Sequence, residues 1–273
     1  MTARFQTTWR IATAALNISF ERSREKCRIT IEEAILSRLP EGVFSNASSI
    51  AIISDDVVSK LYAGTVKNRL TKIAKTNLIT FHHGENSKNL DTCSVIASRM
   101  SDLGLDRRSV IVALGGGVVG DMVGFIASIF KRGIEYVQVP TTLLAQVDSS
   151  IGGKTGVDTS WGKNQLGSFY QPKAIFIDPS TLDTLPPVEV INGLGEMIKS
   201  GIIADRNLFN SIENLLAYSF ARSISPSLSG PFCPNTTAFR TGNSSFIFLS
   251  LSFAAIFSAA LHSLFLARAP VCC

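Results

Sequence analysis

The strongest chemical signal in this 273-residue sequence is Gly115-Gly116-Gly117-Val118-Val119-Gly120-Asp121. It fits G-x-G-x-x-G, directly after an apolar run at 109–114 and directly before a helix-like stretch at 121–130. Glycine is needed where the backbone turns tightly and approaches a pyrophosphate closely. The helix start that follows offers free N–H groups and a partial positive charge to the anion. Gly-rich strand-to-helix turns also arise from packing, so the strand–loop–helix setting carries the nucleotide reading. The motif follows at least two earlier β/α units, whereas the usual dinucleotide fold places it on the first strand.

A second candidate is the polar stretch 141–164, read as a loop: Thr141, Thr142, Gln146, Asp148, Ser149, Ser150, Gly152, Gly153, Lys154, Thr155, Gly156, then Gly162, Lys163 and Asn164. Lysines hold phosphate as point charges, and Asn both donates and accepts. This stretch suits a phosphorylated polyhydroxy substrate, and equally a solvated loop. A third candidate is Glu196 and Lys199, which share a helix face at i, i+3. The glutamate would serve as metal ligand or base and the lysine as anion binder, but spacing alone favours a surface ion pair.

These residues need elements to position them. Strand-like runs at 49–53, 77–81, 109–114, 136–139 and 174–177 alternate with helical periodicity at 57–75, 87–103 and 121–130. Alternation of this kind predicts an α/β fold with a parallel sheet, a Rossmann-like N-terminal domain at 1–185. Residues 186–216 read as the start of a helical domain. Composition then changes: all 21 acidic residues lie at or before Glu213, and beyond it the only charges are Arg222, Arg240 and Arg268. Residues 217–273 are treated as a separate tail. Within it 246–267 is long and uncharged enough to span a bilayer. Three readings stand for the tail: a misread C-terminus, a soluble packed segment, or a membrane anchor.

A hydrophobic fraction of 45% excludes a disordered chain, and a net charge of +5 without basic runs makes nucleic acid an unexpected partner. Cys27, Cys93, Cys233, Cys272 and Cys273 form no C-x-x-C pair, so no zinc ribbon or disulfide framework follows. The first 20 residues faintly suggest an organelle transit segment; an ordinary first strand and loop is the simpler reading.

In combination the motifs are more specific. GGGVVGD, KRG at 131–133, VPTTLLAQVDSSIGGKTGVD at 139–158, GKNQLGSFYQPK at 162–173 and GEMIK at 195–199 resemble, in order and gaps, the 3-dehydroquinate synthase family of sugar phosphate cyclases. The resemblance runs from about residue 24 to 213 and is dense from 110 to 205. It implies a lyase of aromatic amino acid biosynthesis, in the shikimate pathway, that converts 3-deoxy-D-arabino-heptulosonate 7-phosphate to 3-dehydroquinate and phosphate. NAD and a divalent metal, zinc or cobalt, are the implied cofactors. By position, Asp55, Glu85, Lys88, Gly116, Gly117, Val118, Asp121, Thr141, Thr142, Lys163, Thr181, Leu182, Asp183 and Thr184 match the family's NAD contacts. Arg132, Asp148, Lys154, Asn164 and Lys199 match substrate-handling positions, and Glu196 matches a metal ligand. The family's equivalent of Arg132 reaches a neighbouring subunit, which implies a homodimer. A cytoplasmic location is expected, with the plastid as alternative and no membrane partner. The family's two metal-binding histidines have no match here, since the only histidine after His83 is His262. The expectation is therefore a synthase with a truncated or aberrant C-terminus. The rivals are an inactive NAD-binding or dimerising remnant and a related cyclitol synthase.

Overall fold

Strands buried on both faces read as near-continuous apolar runs, and four segments here approach that pattern. Ile50–Asp55, Val110–Gly115, Tyr136–Pro140 and Ala174–Ile177 are buried along their whole lengths. The computed structural model describes residues 16–22 and 25–214. In chain order its strands are β1 (Leu16–Arg22), β2 (Glu25–Ile31), β3 (Ile50–Asp55), β4 (Thr76–Phe81), β5 (Val110–Gly115), β6 (Tyr136–Pro140), β7 (Lys154–Thr159), β8 (Gly162–Phe169) and β9 (Ala174–Ile177). The helices are α1 (Glu41–Phe44), α2 (Gly64–Leu70), α3 (Leu90–Asp102), α4 (Gly117–Ile129) and α5 (Pro187–Ala204). The chain divides into two compact units between Gly193 and Leu194.

The main sheet of the first unit runs β1-β2-β9-β6-β5-β3-β4, parallel throughout except that β1 is antiparallel to β2. Counted from β3, the parallel strands follow the doubly wound order 2-1-3-4-5, and their direction of growth reverses between β3 and β5. Ligands of such sheets bind outside the carboxyl ends of the strands at that reversal. This accounts for a glycine motif on a late strand: β5 borders the reversal although it is not first in sequence.

Successive side chains of a strand point to opposite faces, and each face has its own helices. Ala51, Ile53, Ile111 and Ala113 pack with Cys93, Ile96 and Met100 of α3 and Val119, Met122, Val123 and Ile126 of α4. Ile50, Ile52, Val110, Val112 and Leu114 pack on the other side with Phe44, Val66 and Leu70. Among the described residues the α/β expectation therefore holds, as a three-layer sandwich.

Four local expectations change. The helical stretch 57–75 is a π-helical turn at Ser59–Ala63 followed by α2, and it ends at Leu70. Helix α3 begins later than 87, because Asn89 caps it: its Oδ1 accepts from the Thr92 N–H at 2.9 Å. Helix α4 begins at Gly117, inside the glycine motif, and not at Asp121. The polar stretch 141–164 is not a loop. It forms a helical turn at Ala145–Ser149 and the antiparallel hairpin β7–β8, a second two-stranded sheet. Small residues allow this. Gly156 pairs with Gly167 across the hairpin, and a Cβ on Gly167 would sit 2.2 Å from the Thr155 carbonyl oxygen. Helix α4 rests on β7 through Gly124, where a Cβ would meet Thr155 Cγ2 at 2.4 Å.

A helical run at 206–214 follows α5. The tail 217–273, with its candidate span at 246–267, and the transit-like residues 1–15 lie outside the described residues. Among the described residues no helix is long and apolar enough to cross a membrane.

Gly124→Val should force α4 off the hairpin. Overpacking of a tight contact costs about 1–3 kcal/mol, read as a lower urea midpoint with an unchanged slope.

Candidate nucleotide and substrate site

The carboxyl ends of β3 and β5 deliver Asp55 and Gly115–Gly117 to the reversal point of the sheet. Gly116 is the N-cap of α4, and no side chain caps that helix. The first N–H groups of α4 therefore have no intrahelical acceptor. The approach from the next strand is tight. A Cβ on Gly116 would lie 2.9 Å from Thr142 Cγ2, and one on Gly117 would lie 3.1 Å from Ser149 Oγ. Val118, in the first turn of α4, packs half-buried against the core. Thr141 donates its N–H to the Gly115 carbonyl at 3.0 Å, while its buried hydroxyl and that of Ser150 have no partner among the described residues. The Thr142 hydroxyl accepts from the Ala145 N–H at 3.2 Å.

Beside this cradle lies a buried polar knot. Lys88 is 5% exposed, and its ammonium donates to Asp121 Oδ2 and to Asn164 Oδ1, both at 2.7 Å. Asn164 sits in the left-handed region at φ +54, a conformation asparagine tolerates better than most residues. Asp158 fixes it there, accepting from the Asn164 N–H at 2.8 Å and donating its own N–H to the Lys88 carbonyl at 2.8 Å. Burial raises the Asp121 carboxyl above its usual range, and the Lys88 charge opposes that rise. At the rim Lys163 pairs with Glu85 at 3.0 Å with both side chains exposed, and the Glu85 carboxylate raises the Lys163 ammonium. Glu85, Lys88, Asp158 and Lys163 line a cleft of about 430 Å³.

Other expected positions lie elsewhere or are already engaged. Asp55 is buried, and its Oδ1 accepts from the N–H groups of Val57 and Val58 at 2.9 and 2.8 Å. The Thr181 hydroxyl accepts from Gln146 Nε2 at 2.9 Å and donates to the Asp178 carbonyl at 2.8 Å. Leu182, Asp183 and Thr184 complete that turn after β9. Lys154 is exposed at the start of β7, and Asp148 is half-buried in the turn before it. Arg132 is exposed, carries φ +68 between Lys131 and Gly133 at φ +52 and +111, and makes no hydrogen bond or ion pair among the described residues. In the second unit Glu196 and Lys199 form the ion pair that their spacing favours. His262 lies outside the described residues.

Two features were not anticipated as site residues. Asp158 is one, although it stands within a quoted motif. The other is a group of Asp56, His82 and His83. Asp56 Oδ1 accepts from the His83 N–H and Nδ1 at 2.9 and 2.8 Å, and Oδ2 from His82 Nδ1 at 3.1 Å. The His83 backbone N–H first, then the two imidazoles, hold this carboxyl well below its usual range.

The family model for the 3-dehydroquinate synthase N-terminal region matches residues 78–192. The 3-dehydroquinate synthases of Clostridium kluyveri and of Enterococcus faecalis are each 46% identical over 190 residues, 68% of this chain and 53% of theirs. This chain belongs to the 3-dehydroquinate synthase family. It spans about half the length of the curated relatives it matches. Among solved structures, a 2-deoxy-scyllo-inosose synthase complexed with carbaglucose-6-phosphate, NAD+ and Co2+ aligns with TM-score 0.66 and 30% identity over 69% of this chain and 52% of that one. The 2-epi-5-epi-valiolone synthase of Streptomyces hygroscopicus, with NAD+ and Zn2+ bound, aligns with TM-score 0.70 and 25% identity over 94% and 63%. Iron-containing alcohol dehydrogenases at 15% identity share the fold.

Lys88→Met should strand Asp121 in the knot. Removing one member of a buried pair costs about 3 kcal/mol or more, and the double variant with Asp121→Asn should recover most of it. With the Lys88 charge gone, the folded-state pKa of Asp121 rises further above its unfolded value. The folded form then binds more protons than the unfolded one, so stability of the single variant should fall as pH rises through the range above 3.8. Denaturation midpoints taken across acidic to neutral pH test this sign.

Proposed function

We propose that this chain binds NAD in the cradle at the start of α4 and forms the nucleotide-binding part of a 3-dehydroquinate synthase. The supporting observation is the uncapped N-terminus of α4 at the reversal point of the sheet, with Gly116 and Gly117 leaving no room for a side chain against Thr142 and Ser149. The unpartnered buried hydroxyl of Thr141 fits a ligand in the same place. The family reaction converts 3-deoxy-D-arabino-heptulosonate 7-phosphate to 3-dehydroquinate and phosphate.

NAD, when bound, supplies a reversible hydride acceptor for a secondary alcohol. The chain supplies position and charge. The Gly117–Val119 N–H groups face the pyrophosphate, and the Thr141 and Thr142 hydroxyls flank it. Asp121, clamped by Lys88, fixes the first turns of α4. In this reading Glu85 and Lys163 close the rim, while Asp55 and Thr181–Thr184 bound the nucleotide through backbone groups. Asn164, held at its backbone by Asp158 and at Oδ1 by Lys88, is assigned to substrate hydroxyls through its amide nitrogen, and Lys154, Lys199 and Arg132 carry charge suited to phosphate. Asp148 is assigned to the substrate by position in the family. Arg132, outward and unpaired, is assigned to the site of a second subunit, which makes the working assembly a homodimer. The compartment proposed is the cytoplasm, in keeping with bacterial relatives and with the two buried free thiols, Cys27 and Cys93.

A metal centre at Glu196 does not follow from the described residues. Glu196 offers one carboxylate, already paired with Lys199, where catalytic zinc wants three protein ligands and an open position. A related cyclitol synthase is the second reading, favoured by the two solved cyclases.

NAD+ should bind the wild-type chain in calorimetry, and Gly116→Val should weaken it about tenfold or more, about 1.4 kcal/mol, with circular dichroism unchanged. Equal NAD+ affinity in the two proteins would remove the cradle from the argument. Turnover of 3-deoxy-D-arabino-heptulosonate 7-phosphate to phosphate and 3-dehydroquinate with added zinc would show that the metal centre is completed outside the described residues. A different cyclic product from another sugar phosphate would decide for the second reading, and NAD+ binding without turnover for a remnant.

A further inference from the structure

The group of Asp56, His82 and His83 shares no residue with the cradle and does not include Glu196. It forms where two strands end. The Asp56 N–H donates to the Phe81 carbonyl at 2.9 Å, so the main-chain pairing of β3 and β4 fixes Asp56 beside the first residue after β4. Consecutive residues of a strand point to opposite faces. Here the chain leaves the strand at Phe81 and reaches Gly84 at φ +99, and within that bend both imidazoles turn toward one carboxylate. The rings lie 4.6 Å apart at 60° to each other.

Three ligand atoms, two imidazole nitrogens and a carboxylate oxygen, lie within 4.8 Å of one another. Bonds of about 2.0–2.1 Å in a tetrahedral site set ligand atoms about 3.3 Å apart. His83 Nδ1 now lies 2.8 Å from Asp56 Oδ1 and His82 Nδ1 3.1 Å from Oδ2, so a modest turn of the carboxylate, with each contact opening by a few tenths of an ångström, sets one oxygen beside both rings. The side chains are 39%, 75% and 55% exposed for Asp56, His82 and His83, so water can fill the remaining position. An imidazole-rich set with one carboxylate favours late first-row divalent ions over magnesium or calcium.

We propose that Asp56, His82 and His83 bind a divalent transition-metal ion of the zinc class at the carboxyl ends of β3 and β4, as a site separate from the family's catalytic metal. The ion takes the place of the Nδ1 protons that now bridge to Asp56, and each ring binds as the neutral Nε2–H form: a neutral ring moves its proton from Nδ1 to Nε2 by exchange with solvent, and a protonated ring gives up its Nδ1 proton to solvent. Its mechanical effect is to tie the bend at 82–84 to the end of β3. That bend leads directly into Glu85 and Lys88.

Zinc ion is the probe, titrated into the full chain against a chromophoric chelator. The wild type should retain one more equivalent than His82→Ala, His83→Ala or Asp56→Asn, while Glu196→Gln retains that equivalent. Zinc should also raise the melting temperature of the wild type more than that of His83→Ala. These side chains are exposed, so the variants should fold, and circular dichroism checks that they do. The direct readout is a zinc-edge anomalous peak, or zinc-dependent shifts of the His82 and His83 ring nitrogens. Equal zinc retention by wild type and the histidine variants, or ring nitrogens that do not respond to zinc, would overturn the proposal. Failure of NAD+ binding would leave it intact, because none of its ligands belongs to the cradle.

Discussion

A buried ammonium must be matched by acceptors, and the first unit is organised around one. Lys88 brings Asp121 from α4, Asn164 from the hairpin and the Asp158 N–H against its own carbonyl. These groups are far apart in sequence, so the charge holds together elements that backbone pairing does not join. The hairpin β7–β8 forms no ladder with the main sheet. Its attachment rests on this knot, on the seat that Gly124 gives Thr155, and on apolar packing that includes Val157. Loss of the Lys88 charge therefore threatens the hairpin's position as well as one ion pair.

The same arrangement explains why binding groups are placed where they are. The nucleotide cradle needs an exposed helix end, and the knot needs exclusion of water. Helix α4 serves both within two turns: Gly117 opens it to a ligand, and Asp121, four residues on, is drawn into the interior. Glycine at the first position and a paired carboxylate at the second are two answers to opposite demands on one helix.

Much of this was legible in the sequence because it follows local rules. The buried strands read directly from runs such as 109–114, and the glycine motif reads from residue type. The hairpin at 154–169 was not legible, because its strands are polar on their open face and glycine-rich at their pairing positions, the composition of a loop. Lys88 was expected at the nucleotide by resemblance and Asp158 was not singled out; the burial of Lys88 and its pairing with Asp121 were not legible, since only tertiary packing decides them. Asp56, His82 and His83 come from the ends of two different strands, and nothing in one-dimensional spacing brings them together. The Glu196–Lys199 pair, by contrast, is a pure consequence of helical spacing and formed as expected. The order of β3 and β5 at the sheet reversal explains the late glycine motif, which sequence alone presented as a departure.

The pairing of β2 with β9 sets a schedule for synthesis. Arg28 lies beside Ala174 in that register, so one of the earliest strands to leave the ribosome borders one of the last. Until β9 emerges, β2 has β1 on one side and an open edge on the other, and the gap between β6 and β2 cannot close. Non-local parallel pairing of this kind is slow, and an open edge invites pairing with other chains. A nascent chain that stalls before Ile177 would carry a finished centre, β4 to β6, beside an orphaned N-terminal ribbon. For a cell, the risk of aggregation in this molecule is concentrated in the interval between those two events.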